Sequence, residues 1–396
     1  MDIRLAARVK RIKPSPTLAV TARAEELRAQ GKDVIGLGAG EPDFDTPEHI
    51  KQAAIDALAA GDTKYTAVDG TPALKQAIIR KFERDNGLKY APPQVVVSCG
   101  GKQSFFNLCA ALLDAGVEVV IPAPYWVSYP DIVLLHDGTP VIVDAGIEQG
   151  FKMTPAQLDA AITPRTRLVV LNSPSNPTGV AYRRAELAAL GEVLRRHPHV
   201  LVATDDMYEH ILWADERFSN IAMACPDLVE RTIVLNGVSK AYAMTGWRIG
   251  YAAGPAPLMR AMAKVQSQTT SNPTSIAQAA AVAALDGDQD CIVEMRASFQ
   301  QRHAFVLESL EALPGVRCAP ADGTFYLLPD CREFIASRDD LADDIALAEL
   351  LLAAGVAVVP GSAFGAPGYL RISFATSNAL LAEALLRIER VVTERG

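Results

Sequence analysis

The 396-residue chain has no long apolar run, few histidines and no closely spaced cysteine pair. No stretch approaches the roughly 18 consecutive apolar residues that a membrane-spanning helix needs. Its first residues lack the apolar core of a signal peptide. The six cysteines form no C-x-x-C pair, and the six histidines show no metal-ligand spacing. We therefore expect a cytoplasmic protein with reduced thiols, no bound metal and no membrane association.

The chain also lacks an excess of positive charge. Its formal net charge is −8, which argues against a protein that coats nucleic acid or an anionic membrane. A pocket can still be locally basic, so a small acidic substrate remains possible. With 49% apolar and 21% charged residues, the composition is that of an ordinary globular protein with one large domain or two domains.

Short β-branched runs alternate with helical patterns along most of the chain, which is typical of an α/β fold with a parallel sheet and crossover helices. Seven runs are candidate strands: 95–97, 117–121, 141–143, 168–171, 200–203, 233–235 and 249–252. These runs are apolar throughout, so we expect strands that are buried on both faces. Thr46 and Thr71, each followed by proline, are predicted to cap the helices that come after them.

The pattern changes from about residue 295, where a long helix precedes three short candidate strands at 323–328, 356–359 and 370–374. This order of elements predicts a smaller α+β unit, against which the N-terminal arm would pack. We therefore predict a large domain over 46–294 and a small domain built from 1–45 and 295–396.

Polar segments follow four of the predicted strands. They are Gly100-Gly101-Lys102, Asn172 to Gly179, Thr204 to Tyr208, and Asn236 to Lys240. In a parallel sheet, ligands bind beyond the carboxyl ends of the strands. These segments are therefore predicted to meet at one site.

The residue types in these segments fit the requirements of a pyridoxal phosphate site. Lys240 can supply the amine that binds the cofactor's aldehyde. A carboxylate at Asp205 would keep the pyridine nitrogen protonated through a charge-assisted hydrogen bond. Asn176 and Tyr208 can donate to the phenolate oxygen, and Trp126 can stack on the ring.

The cofactor's phosphate needs backbone N–H groups and a cation. Gly100, Gly101 and Lys102 precede a helical pattern, so their N–H groups can bind an anion at a helix N-terminus. Arg248, eight residues after Lys240, can supply a guanidinium.

Taken together and in order, these motifs resemble the class I aminotransferases of pyridoxal-phosphate fold type I. The resemblance is carried by Asn-Pro-Thr-Gly at 176–179, by 205–208 and by the segment 239–251, and it extends over essentially the whole chain. It implies a large domain with a mostly parallel seven-stranded sheet and a smaller α+β domain. One position departs from the pattern, because Gly237 stands where many relatives have a phosphate-binding serine.

The resemblance also implies roles for individual residues. Lys240 would bind the cofactor and transfer the substrate proton, with Asp205 and Tyr208 as further catalytic residues. The substrate's α-carboxylate would be bound by Arg371, with Gly40, Trp126 and Asn176 around it. Tyr65 would reach the phosphate of a neighbouring subunit, which implies a homodimer with shared active sites. The partners would otherwise be small amino acids and 2-oxo acids, exchanged in a ping-pong reaction between pyridoxal and pyridoxamine phosphate.

Within this family, the chain is most similar to the bacterial aspartate/prephenate aminotransferase subgroup. Lys102 matches that subgroup and would lie near the side-chain carboxylate of a dicarboxylic substrate. Lys13 matches the lysine that the subgroup uses for prephenate. We therefore predict transfer between L-aspartate and 2-oxoglutarate, with prephenate as a second acceptor.

Three alternatives remain open at this point. The enzyme could prefer aromatic or other neutral amino acids, or it could catalyse another reaction of the same cofactor and fold. A transcription regulator with an aminotransferase-like domain is a third reading, but the roughly 40 residues before Gly40 are too few for a DNA-binding domain. The glycines at 36–40 resemble a dinucleotide loop, yet Glu41-Pro42 follows where that motif requires a helix.

Overall fold

The computed structural model describes residues 3–393. The α-helices are α1 (Ala7–Arg11), α2 (Pro16–Ala29), α3 (Glu48–Ala59), α4 (Pro72–Lys81), α5 (Gly101–Leu112), α6 (Ser128–Leu135), α7 (Pro155–Ala161), α8 (Arg184–Arg196), α9 (Ile221–Ala224), α10 (Ala256–Ser267), α11 (Ser275–Asp286), α12 (Asp290–Glu311), α13 (Arg332–Ala336), α14 (Asp344–Ala353) and α15 (Asn378–Thr393). The strands are β1 (Ile35–Gly36), β2 (Val95–Ser98), β3 (Glu118–Ala123), β4 (Thr139–Asp144), β5 (Thr166–Asn172), β6 (Leu201–Asp205), β7 (Thr232–Gly237), β8 (Gly250–Ala253), β9 (Tyr326–Leu327), β10 (Val356–Ala357), β11 (Val359–Pro360) and β12 (Leu370–Ser373).

A seven-stranded sheet organises the larger part of the molecule, in the order β2-β8-β7-β6-β5-β3-β4. All seven strands predicted from the sequence are present, and the α/β class is confirmed. Strand β8 runs antiparallel to both of its neighbours, whereas the other pairs are parallel. Because β8 is reversed, its amino end lies at the edge where the other strands have their carboxyl ends.

Helices cover both faces of this sheet. Val95 and Val97 of β2 pack on the side of α3, α4 and α11, while Val96 packs on the side of α5 and α10. Each of the four residues of β2 is buried. This alternation places apolar side chains on both faces of β2, as predicted. The prediction is wrong for β4, an edge strand in which Ile142 is 40% exposed.

Two smaller sheets lie outside the central one. Strands β1 and β10 pair in parallel, with Ile35 opposite Val356, so the N-terminal segment is joined to the C-terminal region. Strands β11, β12 and β9 form a three-stranded antiparallel sheet. Helix α1 instead contacts α6, and Arg11 of α1 pairs with Asp137, two residues after the end of α6. Helix α12 runs across the predicted boundary at 294/295, and the division into two domains stays a prediction.

The two predicted helix caps have different outcomes. Thr71 accepts a hydrogen bond from the N–H of Leu74 at 3.3 Å, and α4 begins at Pro72 as predicted. The cap at Thr46 is wrong, because α3 begins only at Glu48 and the Thr46 hydroxyl donates to the carbonyl of Ala243 at 2.7 Å. Thr46 therefore anchors the start of α3 to the segment that follows Lys240.

Within residues 3–393, no helix combines the length and apolar character needed to cross a membrane. The same residues bring together no group of three or more His, Cys, Asp or Glu side chains placed to hold a metal ion. All six cysteines are free thiols.

Candidate active site

A pocket of ≈ 350 Å³ opens at the edge of the central sheet where the parallel strands have their carboxyl ends. It brings together most of the side chains singled out from the sequence: Gly40, Gly101, Lys102, Trp126, Asn176, Asp205, Tyr208, Lys240, Arg248 and Arg371. These residues come from seven separate segments of the chain. The sheet topology thus assembles the predicted site.

Lys240 follows β7 and points into this pocket, where its amine donates to the backbone carbonyl of Gly40. Burial lowers the pKa of Lys240 to about 8; Glu41 opposes the shift and the charge of Arg371 adds to it. An ordinary lysine has a pKa near about 10.4. The Lys240 amine is therefore neutral in a far larger fraction of molecules at neutral pH, as a nucleophile or proton acceptor requires.

Asp205 is the last residue of β6, and its carboxylate is held by two donors. The hydroxyl of Tyr129 donates to Oδ2 at 2.6 Å, and the N–H of Met207 donates to Oδ1 at 3.3 Å. Burial raises the pKa of the Asp205 carboxyl, and the hydrogen bond from Tyr129 opposes that rise. The carboxylate is thus oriented on its inner side while it still lines the pocket.

A buried ion pair behind the pocket fixes the loop that follows β6. Glu209 pairs with Lys81 and accepts a hydrogen bond from the side chain of Asn236 at 2.7 Å. Burial raises the pKa of the Glu209 carboxyl, but Lys81 and its other partners outweigh this and lower it to about 2. Because Asn236 belongs to β7, the network ties the segments of Asp205 and Lys240 together.

Tyr208 and Asn176 lie on the same side of the pocket. The hydroxyls of Tyr208 and Tyr326 are 3.2 Å apart. Burial raises the pKa of both phenols, so both remain neutral donors. The N–H of Asn176 donates to the side chain of Asn172 at 2.9 Å, and Asn172 in turn donates to the Asp205 carbonyl at 2.9 Å.

Arg371 is a buried cation without a carboxylate partner among residues 3–393. Its side chain is 1% exposed, and its guanidinium donates to the Asn176 side chain at 3.0 Å and to the Gly38 carbonyl at 2.7 Å. The rings of Tyr326 and Phe364 lie 4.5 and 4.9 Å from it, and its Nε has no hydrogen-bond partner in the described part of the chain. Burial lowers the pKa of Arg371. A buried charge of this kind favours binding of an anion.

The first turn of α5 lies close to Arg248, which also lines the pocket. Gly100 has φ +87°, and a Cβ on it would lie 2.2 Å from Nη2 of Arg248, so only glycine permits this approach. Gly101 lines the pocket, whereas Gly100 lies just behind it. The helix N-terminus and the guanidinium together form a cradle for an anion.

Lys102, also in the first turn of α5, lies beside Trp126. Its Nζ is 5.2 Å from the centre of the Trp126 ring. Burial lowers the pKa of Lys102, and the nearby charge of Arg248 adds to this effect. Lys102 and Arg248 are thus two further basic side chains in the pocket, in addition to Arg371 and Lys240.

Besides Gly100, two predicted site residues do not line this pocket. Tyr65 is 92% exposed, and Lys13 is exposed on the segment between α1 and α2. Residues Thr17, Leu18 and Thr21 of α2 line the pocket in that region instead. The roles of Tyr65 at a neighbouring subunit's phosphate and of Lys13 in prephenate binding remain predictions.

Sequence reasoning missed Tyr129 and Tyr326, which contact Asp205 and Tyr208 respectively. Tyr129 had a usable signal, because it lies three residues after Trp126, a spacing that places two residues on one side of a helical turn. Tyr326 had none, since it stands in an apolar strand without a polar neighbour. Its position follows from the packing of the C-terminal sheet against the loop after β6.

Comparison with known proteins identifies the family. A family model described as aminotransferase class I and II matches residues 32–388. The chain belongs to this family. This aminotransferase is 58% identical over 397 residues to the aspartate/prephenate aminotransferase of Nitrosomonas europaea, covering 99% of this chain and 100% of that relative. It is 59% identical to the protein of the same name from Cereibacter sphaeroides, covering 96% of each.

Solved structures of related proteins have the same fold as this chain. The aspartate aminotransferase of Rhizobium meliloti superposes with a TM-score of 0.95 at 52% identity, covering 99% of each chain. The aspartate aminotransferase of Thermus thermophilus, solved with maleate, superposes with a TM-score of 0.92 at 45% identity over 98% of this chain and 100% of its own. The predicted fold type I is thereby confirmed. Class I aminotransferases depend on pyridoxal phosphate and act on amino acids and 2-oxo acids.

Proposed function

We propose that this aminotransferase binds pyridoxal 5′-phosphate and transfers amino groups between L-aspartate and 2-oxoglutarate, with prephenate as a second acceptor. The observation that supports it most is that the Lys240 amine, the Asp205 carboxylate and the Arg371 guanidinium line one pocket. Arg371 has no carboxylate partner among residues 3–393. The names of the relatives mention aspartate and prephenate, and the Thermus relative was solved with maleate, a dicarboxylate.

The residues of the pocket fit the cofactor. Lys240 would bind its aldehyde, Asp205 its pyridine nitrogen, and Trp126 the face of its ring. Tyr208 and Asn176 would donate to its phenolate oxygen.

The anion cradle would hold the cofactor's phosphate. Its donors would be the N–H groups of Gly101 and Lys102 together with the Arg248 guanidinium. Gly100 would allow the close approach of Arg248, since its own N–H donates to the Ser98 carbonyl at 2.8 Å. A Cβ at Gly237 would meet the Cα of Gly250 and the carbonyl of Ile249 at 3.1 Å each. We propose that Ser239, whose side chain lines the pocket, replaces the serine that many relatives have at position 237.

When bound, the cofactor supplies an electron sink that lowers the barrier to breaking the α C–H bond. The protein's part is to orient that bond and to move its proton. Arg371 would bind the α-carboxylate with two parallel hydrogen bonds and so fix the direction of the bond. The Lys240 amine would take the proton from the α-carbon and return it at the other carbon of the reacting system, because its lowered pKa suits both directions. The two half-reactions of the ping-pong cycle use these residues in opposite order.

An absorption spectrum tests the reaction type. We expect the protein with pyridoxal phosphate to lose its visible band when aspartate is added without an acceptor, and to regain it with 2-oxoglutarate. An elimination or decarboxylation enzyme would release product without this stoichiometric change. Steady-state kinetics for aspartate, glutamate, prephenate, phenylalanine and methionine then rank the substrates. Greater efficiency on the neutral amino acids would contradict the proposed specificity.

Lys102→Met is expected to lower kcat/KM for aspartate while it leaves phenylalanine nearly unchanged. A hydrogen bond to a charged group contributes about 1.5 to 3 kcal/mol, or roughly a 10- to 150-fold change. Lys89→Met is the matched control, since the Lys89 side chain is 84% exposed. An equal loss for aspartate and phenylalanine would show that Lys102 serves the cofactor rather than the substrate side chain.

The pH dependence of cofactor capture reports the Lys240 pKa. Only the neutral amine attacks the aldehyde, so the capture rate should rise with pH and level off above about 8, the pKa set by burial. Stopped-flow absorbance on the cofactor-free protein measures this rate. A rate that continues to rise up to about pH 10, as for an ordinary lysine, would mean that the amine is not perturbed.

We further propose a homodimer in which Tyr65 serves the phosphate of the neighbouring subunit and Lys13 contacts prephenate. Support comes from large apolar side chains that are exposed: Leu18, which lines the pocket, is 68% exposed, and Tyr65 is 92% exposed. Sedimentation velocity with parallel activity measurements tests the assembly. A fully active monomer would contradict it.

A further inference from the structure

Tyr129 contacts two of the groups that we assign to the cofactor. Its hydroxyl donates to Oδ2 of Asp205 at 2.6 Å. Its ring meets that of Trp126 edge to face, with centroids 5.2 Å apart and an interplanar angle of 84°. The residue is 1% exposed. Tyr129 therefore connects the carboxylate that would face the pyridine nitrogen with the ring that would stack on the pyridine.

The direction of the hydrogen bond is fixed by the environment of the phenol. Burial and the neighbouring Asp205 charge raise the pKa of Tyr129 well above its ordinary value, so the hydroxyl keeps its proton. It therefore donates and the carboxylate accepts. The second donor to Asp205, the N–H of Met207, is longer at 3.3 Å. Tyr129 thus makes the stronger of the two contacts and withdraws more negative charge from the carboxylate.

The backbone around Tyr129 holds it in this position. Tyr129 lies in the first turn of α6, and its N–H donates to the Trp126 carbonyl at 3.0 Å. Phe105 of α5 packs against its ring, with centroids 4.9 Å apart. The ring therefore cannot turn away from Asp205 without displacing residues of the surrounding core.

We propose that Tyr129 is a positioning residue that sets the charge and orientation of Asp205 and the plane of Trp126, and through them the proton affinity of the bound cofactor. The proposal rests on the proposed function, because it assumes pyridoxal phosphate in this pocket. It goes beyond that function in assigning the electrostatic tuning to a phenol on α6, a helix that supplies no other hydrogen bond to the Asp205 carboxylate.

Tyr129→Phe tests the proposal through the pH titration of the cofactor's visible absorption band, measured without substrate. Removal of the donor leaves more negative charge on Asp205, which holds positive charge on the conjugated ring more tightly. The titration midpoint is expected to rise by about 0.5 to 1 pH unit. Tyr182→Phe is the matched control, because it removes the hydroxyl of another buried tyrosine that bonds only to the N–H of Met153. Its midpoint should equal that of the unmodified protein.

Incorporation of 3-fluorotyrosine at position 129 provides the opposite change. The more acidic phenol donates more strongly, so the titration midpoint should fall. Because this variant retains the ring and the hydroxyl, it can be measured even if Tyr129→Phe does not fold. A midpoint that stays the same in both variants, or that moves in the other direction, would overturn the proposal. Failure of the unmodified protein to form a visible band with pyridoxal phosphate would instead overturn the proposed function.

Discussion

Replacement of Lys240 by alanine is expected to lower kcat by at least roughly 10⁴-fold, the upper end of what a positioned proton-transfer group contributes. The Lys240 amine is the proposed site of covalent attachment and the proposed carrier of the substrate proton, so the variant loses both contributions at once. Among the described residues, Lys102 is the only other lysine that lines the pocket, and its amine lies over the Trp126 ring. Steady-state transamination of aspartate measures the loss.

Covalent attachment supplies a second measurement that does not depend on turnover. After addition of pyridoxal phosphate and reduction with borohydride, peptide mass spectrometry should find the cofactor on Lys240 in the unmodified protein and on no peptide in the variant. The control is Lys264→Ala, which removes an exposed lysine of α10. A small primary amine such as methylamine should restore part of the activity of Lys240→Ala. A variant that keeps a tenth of the activity would refute the assignment.

The positions of Lys240 and Asp205 could be predicted because both follow directly from strand ends. A strand of four to seven buried residues fixes where its carboxyl end lies, and the parallel pairing of β6 and β7 sets those ends side by side. The Thr71 cap succeeded for a similar reason, since its partner Leu74 is three residues away. Most of the fold and much of the site could therefore be predicted from local residue spacing and from the order of the strands.

Features that depend on contacts between distant segments could not be predicted. The Thr46 hydroxyl has a local helix to cap, but the carbonyl of Ala243, 197 residues away, binds it instead. The reversed direction of β8 leaves no mark on an apolar run that is buried on both faces. Tyr326 reaches Tyr208 only because the C-terminal sheet packs beside the loop after β6. In each case the deciding interaction comes from tertiary packing rather than from the neighbouring sequence.

Arg371 is suited to bind an anion, and a comparison with Arg332 shows why. Both guanidinium groups lie over a tyrosine ring, at 4.5 Å from Tyr326 and 5.0 Å from Tyr369. Arg332 is satisfied by the Asp330 carboxylate through two hydrogen bonds of 2.8 and 2.6 Å. Arg371 has only neutral acceptors among the described residues. A substrate carboxylate would therefore be the negatively charged partner of the Arg371 guanidinium.

Arg371→Lys keeps the charge and removes the planar fork that matches a carboxylate. Loss of this match at a buried pair should cost about 2 to 4 kcal/mol, which lowers kcat/KM by roughly 30- to 1,000-fold. Because every substrate shares the α-carboxylate, the loss should be similar for aspartate and phenylalanine, unlike that of Lys102→Met. The cofactor's absorption spectrum and the activity of the Arg332→Lys control should stay unchanged. A loss confined to dicarboxylic substrates would mean that Arg371 binds the side-chain carboxylate, and the proposed orientation of the substrate would have to be reversed.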